Sequence, residues 1–328
     1  MALYWFVIKR AIVSIPLIFL IIVVNFAIIH LAPGDPVDFM VSGMEAVGLP
    51  PGYLEELRAK FGLDKPLHEQ LLIYIYNVLR GDLGYSFIFR RPVLDIILSA
   101  LGSTLLLTVT GFLISITLGI FIGIKCAEKP YSVFDNVAST SSLLIWSMPL
   151  FWLGMMLLLV FALYLGYFPA GGMYDVHATG YQRTLSVIRH LTLPAVCLGL
   201  GQFAVMTRFT RASMLEVLRS DYITTAWSKG CSPRTVYYRH AFRNALLPIT
   251  TLLALRIRGL FMGSVVVETV FSWPGLGGLL YDSIMRRDFT LIMAIFIVYA
   301  LLTIVSTLLS DLVYGYLDPR IRLESRAS

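Results

Sequence analysis

Six stretches of about 20 mostly apolar residues recur along this chain, near residues 11–31, 102–124, 142–164, 191–210, 249–271 and 291–313. Each is long enough to cross a hydrocarbon core of ~30 Å as a helix, the form in which one apolar segment satisfies its own backbone there. The repetition predicts an all-α polytopic membrane protein with six transmembrane helices. Composition agrees, since 14% of the 328 residues are charged where about 25% is usual for a soluble domain. The first stretch follows Lys9 and Arg10, as a signal peptide would. Its apolar run exceeds the ~7–15 residues of a signal core, and Pro33-Gly34-Asp35-Pro36 offers no small-residue cleavage site. It is read as a retained span.

Placing the N-terminus inside puts 14 of the 26 Lys and Arg residues in cytoplasmic segments, among them Lys125, Lys129, Arg208, Arg211, Lys229 and Arg234. Most of the outward ones fall in the long first loop, which counts little in the positive-inside rule. Both termini are therefore expected in the cytosol. The net charge of +6 follows from this topology and gives no reason to invoke nucleic acid. The chain then divides into an N-terminal segment with the first helix (1–31), an extracytoplasmic loop region (32–100), a five-helix core (101–314) and a cytoplasmic tail (315–328).

Between the fourth and fifth spans lies a basic segment, at about 215–247, with the chemistry of two short helices. Ser220 or Asp221 can cap the first, and Gly230 supplies a permissive residue past its end. Ser232 caps the second with Pro233 at its first position, and Arg234, Arg239, His240 and Arg243 follow. Pro248 is expected to stop this helix before the fifth span. The segment reads as a docking surface for another protein or as an ordinary basic loop. A DNA-binding helix-turn-helix has the same ingredients, but tethering between two spans argues against it.

Other features bear on packing. Gly111, Ser115, Gly119 and Gly123 recur every fourth position, and Gly259 and Gly263 repeat the spacing. Such stripes let helices approach closely, in a bundle interior or at a subunit interface. In the first loop, Leu54, Leu57 and Phe61 share one face of an amphipathic stretch. Pro66 opens a second helix through Arg80 that ends at Gly81, with Leu67, Leu71, Tyr74 and Ile75 available to the membrane interface. Glu268 is expected to end the fifth span at the outer side. Gly275 to Gly278 read as an outer turn with Trp273 at the interface, and Asp282, Arg286, Arg287 and Asp288 as a solvated helix end. Cys126, Cys197 and Cys231 suggest neither a disulfide nor a metal site.

Several ordered motifs carry a resemblance across nearly the whole chain: Pro33 to Pro36, Leu63 to Pro66, Gly81 to Gly84, Asp221 to Gly230, Glu268 to Gly277, and Asp318-Pro319-Arg320. Together they resemble the B-type permease subunit of the ABC importers for dipeptides, oligopeptides and nickel chelates. That resemblance implies a type I ABC importer permease fold and, as partners, a second homologous permease, two ATP-binding subunits and an extracytoplasmic solute-binding protein. It places the chain as a multi-pass protein of a prokaryotic plasma (inner) membrane, surrounded by the lipid bilayer. It implies a non-catalytic chain with no cofactor of its own, ATP and Mg being bound by the partner subunits. Nickel chelates, glutathione or another small solute remain alternative cargoes to peptides.

The basic segment resembles the EAA loop that such permeases present to their ATPases, with Thr224-Thr225-Ala226 at the Glu-Ala-Ala position and Gly230 four residues beyond. The Glu is replaced by Thr224, and 17 residues separate Gly230 from Pro248, which the peptide branch of the family resembles. Asp221, Thr224, Thr225, Ala226, Lys229, Gly230, Arg243 and Pro248 are thus the expected coupling residues. The chain itself carries no G-x-x-x-x-G-K-[ST] loop for a nucleotide, so energy must enter through another subunit. An ion-coupled secondary transporter would do without ATPases, but the spans hold few acidic groups for it.

Arg256 and Arg258 stand in mid-span, where a charge costs ~2.5–3.5 kcal/mol and must face water, a partner or a pathway. Two positions apart on a helix they point ~200° apart. One is expected to line the translocation path and meet a peptide carboxylate while the other snorkels or pairs; alternatively both are structural. Pro149 is expected to kink the third span near the path, and Glu268 is carried as a further pathway candidate.

Overall fold

The structure, a computed structural model, describes residues 12–13, 16–27, 65–86, 88–257, 259–260 and 264–317. Arg258, Gly263, the motif residues 33–36 and 63–64, the stretch with Leu54, Leu57 and Phe61, and Asp318 with the tail lie outside the described residues.

A helix α1 (Pro16–Ala27) is tied to the last helix by Asn25, whose Nδ2 donates to the Met293 carbonyl at 2.9 Å. The helix expected after Pro66 is present as α2 (Leu67–Leu79), and Gly81 ends it with φ +79. A two-residue hairpin of β1 (Tyr85–Ser86) and β2 (Arg91–Pro92) leads into α3 (Val93–Glu128). Then come α4 (Val133–Ser147), α5 (Leu150–Leu157), continued by a wider π-type turn over Leu158–Tyr164, and α6 (Gly180–Leu218). Next are α7 (Asp221–Ser228), a second π-type stretch (Thr235–Ala241) running into α8 (Phe242–Ile257), α9 (Val265–Val270), α10 (Leu276–Met285) and α11 (Phe289–Leu317).

Among the described residues three helices are long and apolar enough to cross a bilayer: α3, α6 and Phe289–Ser310 of α11. The expected third span is broken. Where Pro149 was to kink it, α4 and α5 meet at 106°, because the residue before a proline is pushed out of the helical region and Met148 takes φ −76, ψ 135. The expected fifth span is interrupted too, since α8 ends at Ile257 and α9 begins at Val265. Pro248 does not stop the preceding helix. It sits inside α8, exposed, while Ala245, Ile249 and Ala254 on the buried face carry the helix past it. Losing one N–H is tolerated where neighbouring helices hold the segment.

The most extensive helix pairing is α3 against α6. The small-residue stripe lies in this contact, which places it in the bundle interior. Gly111, Ser115, Gly119 and Gly123 are all buried. A Cβ on Gly119 would fall 2.5 Å from Cβ of Met206, and one on Gly123 2.6 Å from Cβ of Thr210. A third helix joins through charge: Asp135 of α4, 1% exposed, accepts Nε and Nη2 of Arg211 at 2.7 and 2.6 Å.

Gly119→Ala is expected to destabilise the protein by about 1–3 kcal/mol through overpacking, read as a lower Tm in detergent. Gly102→Ala, where an added Cβ meets nothing within 4 Å, is expected to leave the Tm unchanged or raise it.

Candidate functional site

Two surfaces on this bundle have the chemistry of a working part. The first is the helix α7. Its sequence is amphipathic over only two turns, and the fold uses that: Ile223 and Ala226 are buried in a cluster with Ile124 and Ala127 of α3, Met214 of α6, and Val236, Ala241 and Ala245 leading into α8. The opposite face presents Asp221, Tyr222, Thr224, Thr225 and Lys229. Gly230 follows with φ +76, a conformation an L side chain adopts only with strain. Tyr222 is tied to α8 by its hydroxyl, which accepts from Nδ2 of Asn244 at 2.7 Å. Of the residues expected to couple, Asp221, Thr224, Thr225, Lys229 and Gly230 share this exposed side. Ala226 faces inward, and Arg243 and Pro248 are exposed farther along, on α8.

The second surface lies deeper. A cavity of ≈ 280 Å³ opens between α3, α6 and the end of α8, lined among others by Thr108, Phe112, Gln202 and Arg256. Arg256 donates from Nη1 to Oε1 of Gln202 at 2.8 Å. A neighbouring cavity of ≈ 190 Å³ is lined by Met148, Leu150 and Leu153 beside the α4–α5 break, and it shares Leu198 and Gln202 with the first. Both helix interruptions, at Met148-Pro149 and after Ile257, therefore flank Gln202. Irregular backbone at membrane depth is tolerated only where protein buries it or it lines a wet cavity. Gln202 was not singled out from the sequence, where a lone amide in an apolar run carries no spacing signal.

The remaining expected site residues fall elsewhere. Glu268 does not end a span at an open surface. It is 1% exposed, with Oε1 accepting from Thr104 Oγ1 at 2.9 Å and Oε2 from the Gly278 N–H at 2.9 Å. Thr104 Oγ1 in turn accepts the Leu276 N–H at 2.8 Å. A Cβ on Gly275 would run into the Glu268 carboxyl group, so the turn needs glycine to close around the carboxylate. Trp273, expected at the membrane interface, is 2% exposed and donates Nε1–H to the Ser103 carbonyl at 2.9 Å. The outer turn is thereby a clasp from α9–α10 onto α3. Asp288, expected in a solvated helix end, is buried, accepts the Ser86 hydroxyl and caps α11 through the Leu291 N–H at 3.1 Å.

The family model "Binding-protein-dependent transport system inner membrane component" matches residues 115–323, and its companion for the N-terminal part of such membrane components matches residues 3–108. The chain belongs to this permease family. Relatives span its whole length. The di/tripeptide transport system permease protein DppB of Pseudomonas aeruginosa is 39% identical, over 97% of this chain and 98% of its own. The oligopeptide transport system permease protein AppB of Bacillus subtilis is 37% identical over 96% and 98%. The glutathione transport system permease protein GsiC of Escherichia coli is 40% identical over 97% and 98%. Among solved structures, an inward-facing form of the MetNI methionine ABC transporter aligns with TM-score 0.55 at 14% identity, covering 69% of this chain and 98% of that one. At that identity the likeness concerns the fold, a type I importer permease fold, and the membrane location follows from the family.

Within this permease, Thr104→Val removes both an acceptor for the Leu276 N–H and a donor to Glu268. Each buried group left unpaired costs about 1–3 kcal/mol, so a marked drop in Tm is expected. Adding Glu268→Gln to Thr104→Val should lower the Tm by less than the two single losses combined, because the two side chains share one network.

Proposed function

We propose that the chain is one of two membrane permeases of an ATP-driven importer and forms half of a translocation path for dipeptides or oligopeptides. Six spans with both termini in the cytosol remain the arrangement that the apolar runs and the Lys and Arg distribution support. The partners are a second homologous permease, two ATP-binding subunits that hold ATP and Mg, and a solute-binding protein on the outer side. The chain does no chemistry itself. Its full-length relatives handle di- and tripeptides, oligopeptides and glutathione by name, which supports a peptide cargo over a metal chelate.

The observation that carries this reading is the seating of α7. A ligand can shift a conformational balance only by its differential affinity for the two states, so an ATPase must push on something that moves with the path. One face of α7 is free for that contact. The other is embedded in the cluster from which α8 rises, and α8 runs unbroken through Pro248 from Ala245 to Arg256, about 16 Å along the axis. Displacement of α7 is carried to the cavity at Gln202 by a rigid helix. Arg211 and Asp135 make α4 follow α6, so the side of the path at Met148 moves with it. Closure of the ATPases opens the path outward and hydrolysis resets it.

Native mass spectrometry of the gently extracted chain should find a second permease, two ATPases and a binding protein, and proteoliposomes holding that complex should take up peptide only with ATP. Gly230→Val should leave the complex assembled yet cut uptake by about tenfold, the equivalent of the ~1–2 kcal/mol left-handed backbone penalty. Unchanged uptake in that variant would remove α7 from the coupling role.

A further inference from the structure

Resting on the peptide reading above, we propose that Arg256 and Gln202 form a subsite for the C-terminal carboxylate of the transported peptide. Arg256 is half-buried in a segment read from the sequence as a membrane span, and among the described residues its hydrogen-bond partner is a neutral amide. No described carboxylate lies within ion-pair distance of it. A guanidinium has five donors in a planar fork that matches a carboxylate bidentately, and the bond to Gln202 uses one. A charge held in this place at a cost of several kcal/mol is retained where an anion or a water-filled path meets it.

Gln202 sharpens the site. Arginine cannot accept a hydrogen bond, so the amide must offer its oxygen to Arg256, which fixes the flip otherwise ambiguous in a glutamine. Among the described residues its Nε2 donors have no hydrogen-bond partner and are available to a second one. The pair accordingly supplies a positive charge and additional N–H donors, and none of the described residues lining the cavity is acidic. Beside it, the adjoining cavity is walled by Ile145, Met148, Leu150 and Leu153, which suits an apolar side chain. One anionic end and an adjacent apolar slot, joined at Gln202, describe an amphiphilic acid such as a peptide C-terminus. A peptide's N-terminal ammonium is repelled by the same guanidinium, so the subsite also sets which end enters.

Arg256 occupies the last turn of α8, the end that the coupling cluster displaces. A carboxylate held there is gripped in one state of the path and released in the other by movement of α8 alone. The rival role is a structural one, in which Arg256 only neutralises the carbonyl end of α8.

The test separates these roles without involving the binding protein, which has its own selectivity. In the purified complex, Phe112, which lines the same cavity, is replaced by a photo-crosslinking benzoylphenylalanine, and a radiolabelled dipeptide is offered without ATP or binding protein. The free-acid dipeptide and its N-acetyl form should both be captured, and the C-terminal amide at least about tenfold less, the size of one charge-assisted hydrogen bond. Arg256→Gln should abolish that discrimination, Arg256→Lys should keep part of it, and Gln202→Ala should weaken it. Equal capture of acid and amide by the unsubstituted pair, discrimination surviving Arg256→Gln, or no capture at Phe112 would each overturn the subsite. A loss of assembly in Arg256→Gln, with acid and amide captured equally by Arg256→Lys, would assign the residue to structure. ATP-dependent peptide uptake by the same complex is measured in parallel: if it persists while the subsite test fails, the inference falls and the importer reading stands. If no peptide is taken up at all, the importer reading itself falls.

Discussion

In a bilayer there is no hydrophobic force to bring helices together, so association rests on how closely backbones can pack. In this protein that constraint is met by the glycine and serine stripe of α3 lying on α6, with no room for even one added carbon opposite Met206 or Thr210. The rest of the bundle is arranged around this pair. The α4 helix is held to it by the Arg211–Asp135 bond, whose carboxylate is buried and would be left as an unpaired charge if Arg211 were removed. At the opposite end α9 and α10 are held to α3 by Thr104, Ser103 and the buried carboxylate of Glu268.

Against this rigid frame two helices are interrupted, and both interruptions border Gln202. Broken helices in a membrane expose backbone groups and admit polar side chains that an intact span excludes. They are costly unless they line a path. The frame is therefore strongest where helices are continuous and most polar where they are not, and the cavity beside Arg256 is a consequence of that division. The exposed face of α7 belongs to the continuous part, through α8. In the proposed coupling, this is how a short helix at one end of the bundle would act on a cavity well inside it.

In the importer proposed above, both features have a use. A subunit with no nucleotide loop needs an external source of motion, and a solute that is neither apolar nor free to diffuse needs a polar path. The clasp at Glu268 serves neither task by contact. It fixes the turn over the end of the bundle, which is held to α3 by hydrogen bonds through Thr104 and Ser103.

Much of this was legible in the sequence where the signal is local. Apolar runs located α3, α6 and α11, Pro66 and Gly81 bounded α2, and Gly230 ended α7, because helix length and left-handed backbone are decided within a few residues; Ser220 precedes α7 without the side-chain cap expected of it. The every-fourth-residue stripe predicted close packing but not its partner. Signals that depend on distant residues were misread. Trp273, Glu268 and Asp288 look like outer-edge residues until Ser103, Thr104 and Ser86, each at least 160 positions away in the chain, are brought against them. Pro248 looks like a stop until the packing of Ala245 and Ile249 carries the helix through it. Sequence by itself determined that the chain lives in a membrane, where the three long apolar helices α3, α6 and α11 lie and where a basic helical segment follows α6, since those properties follow from local hydrophobicity and backbone preference. Only the tertiary structure decided which polar groups are sealed and which line a cavity, because the environment of a polar side chain is set by what other helices bring to it.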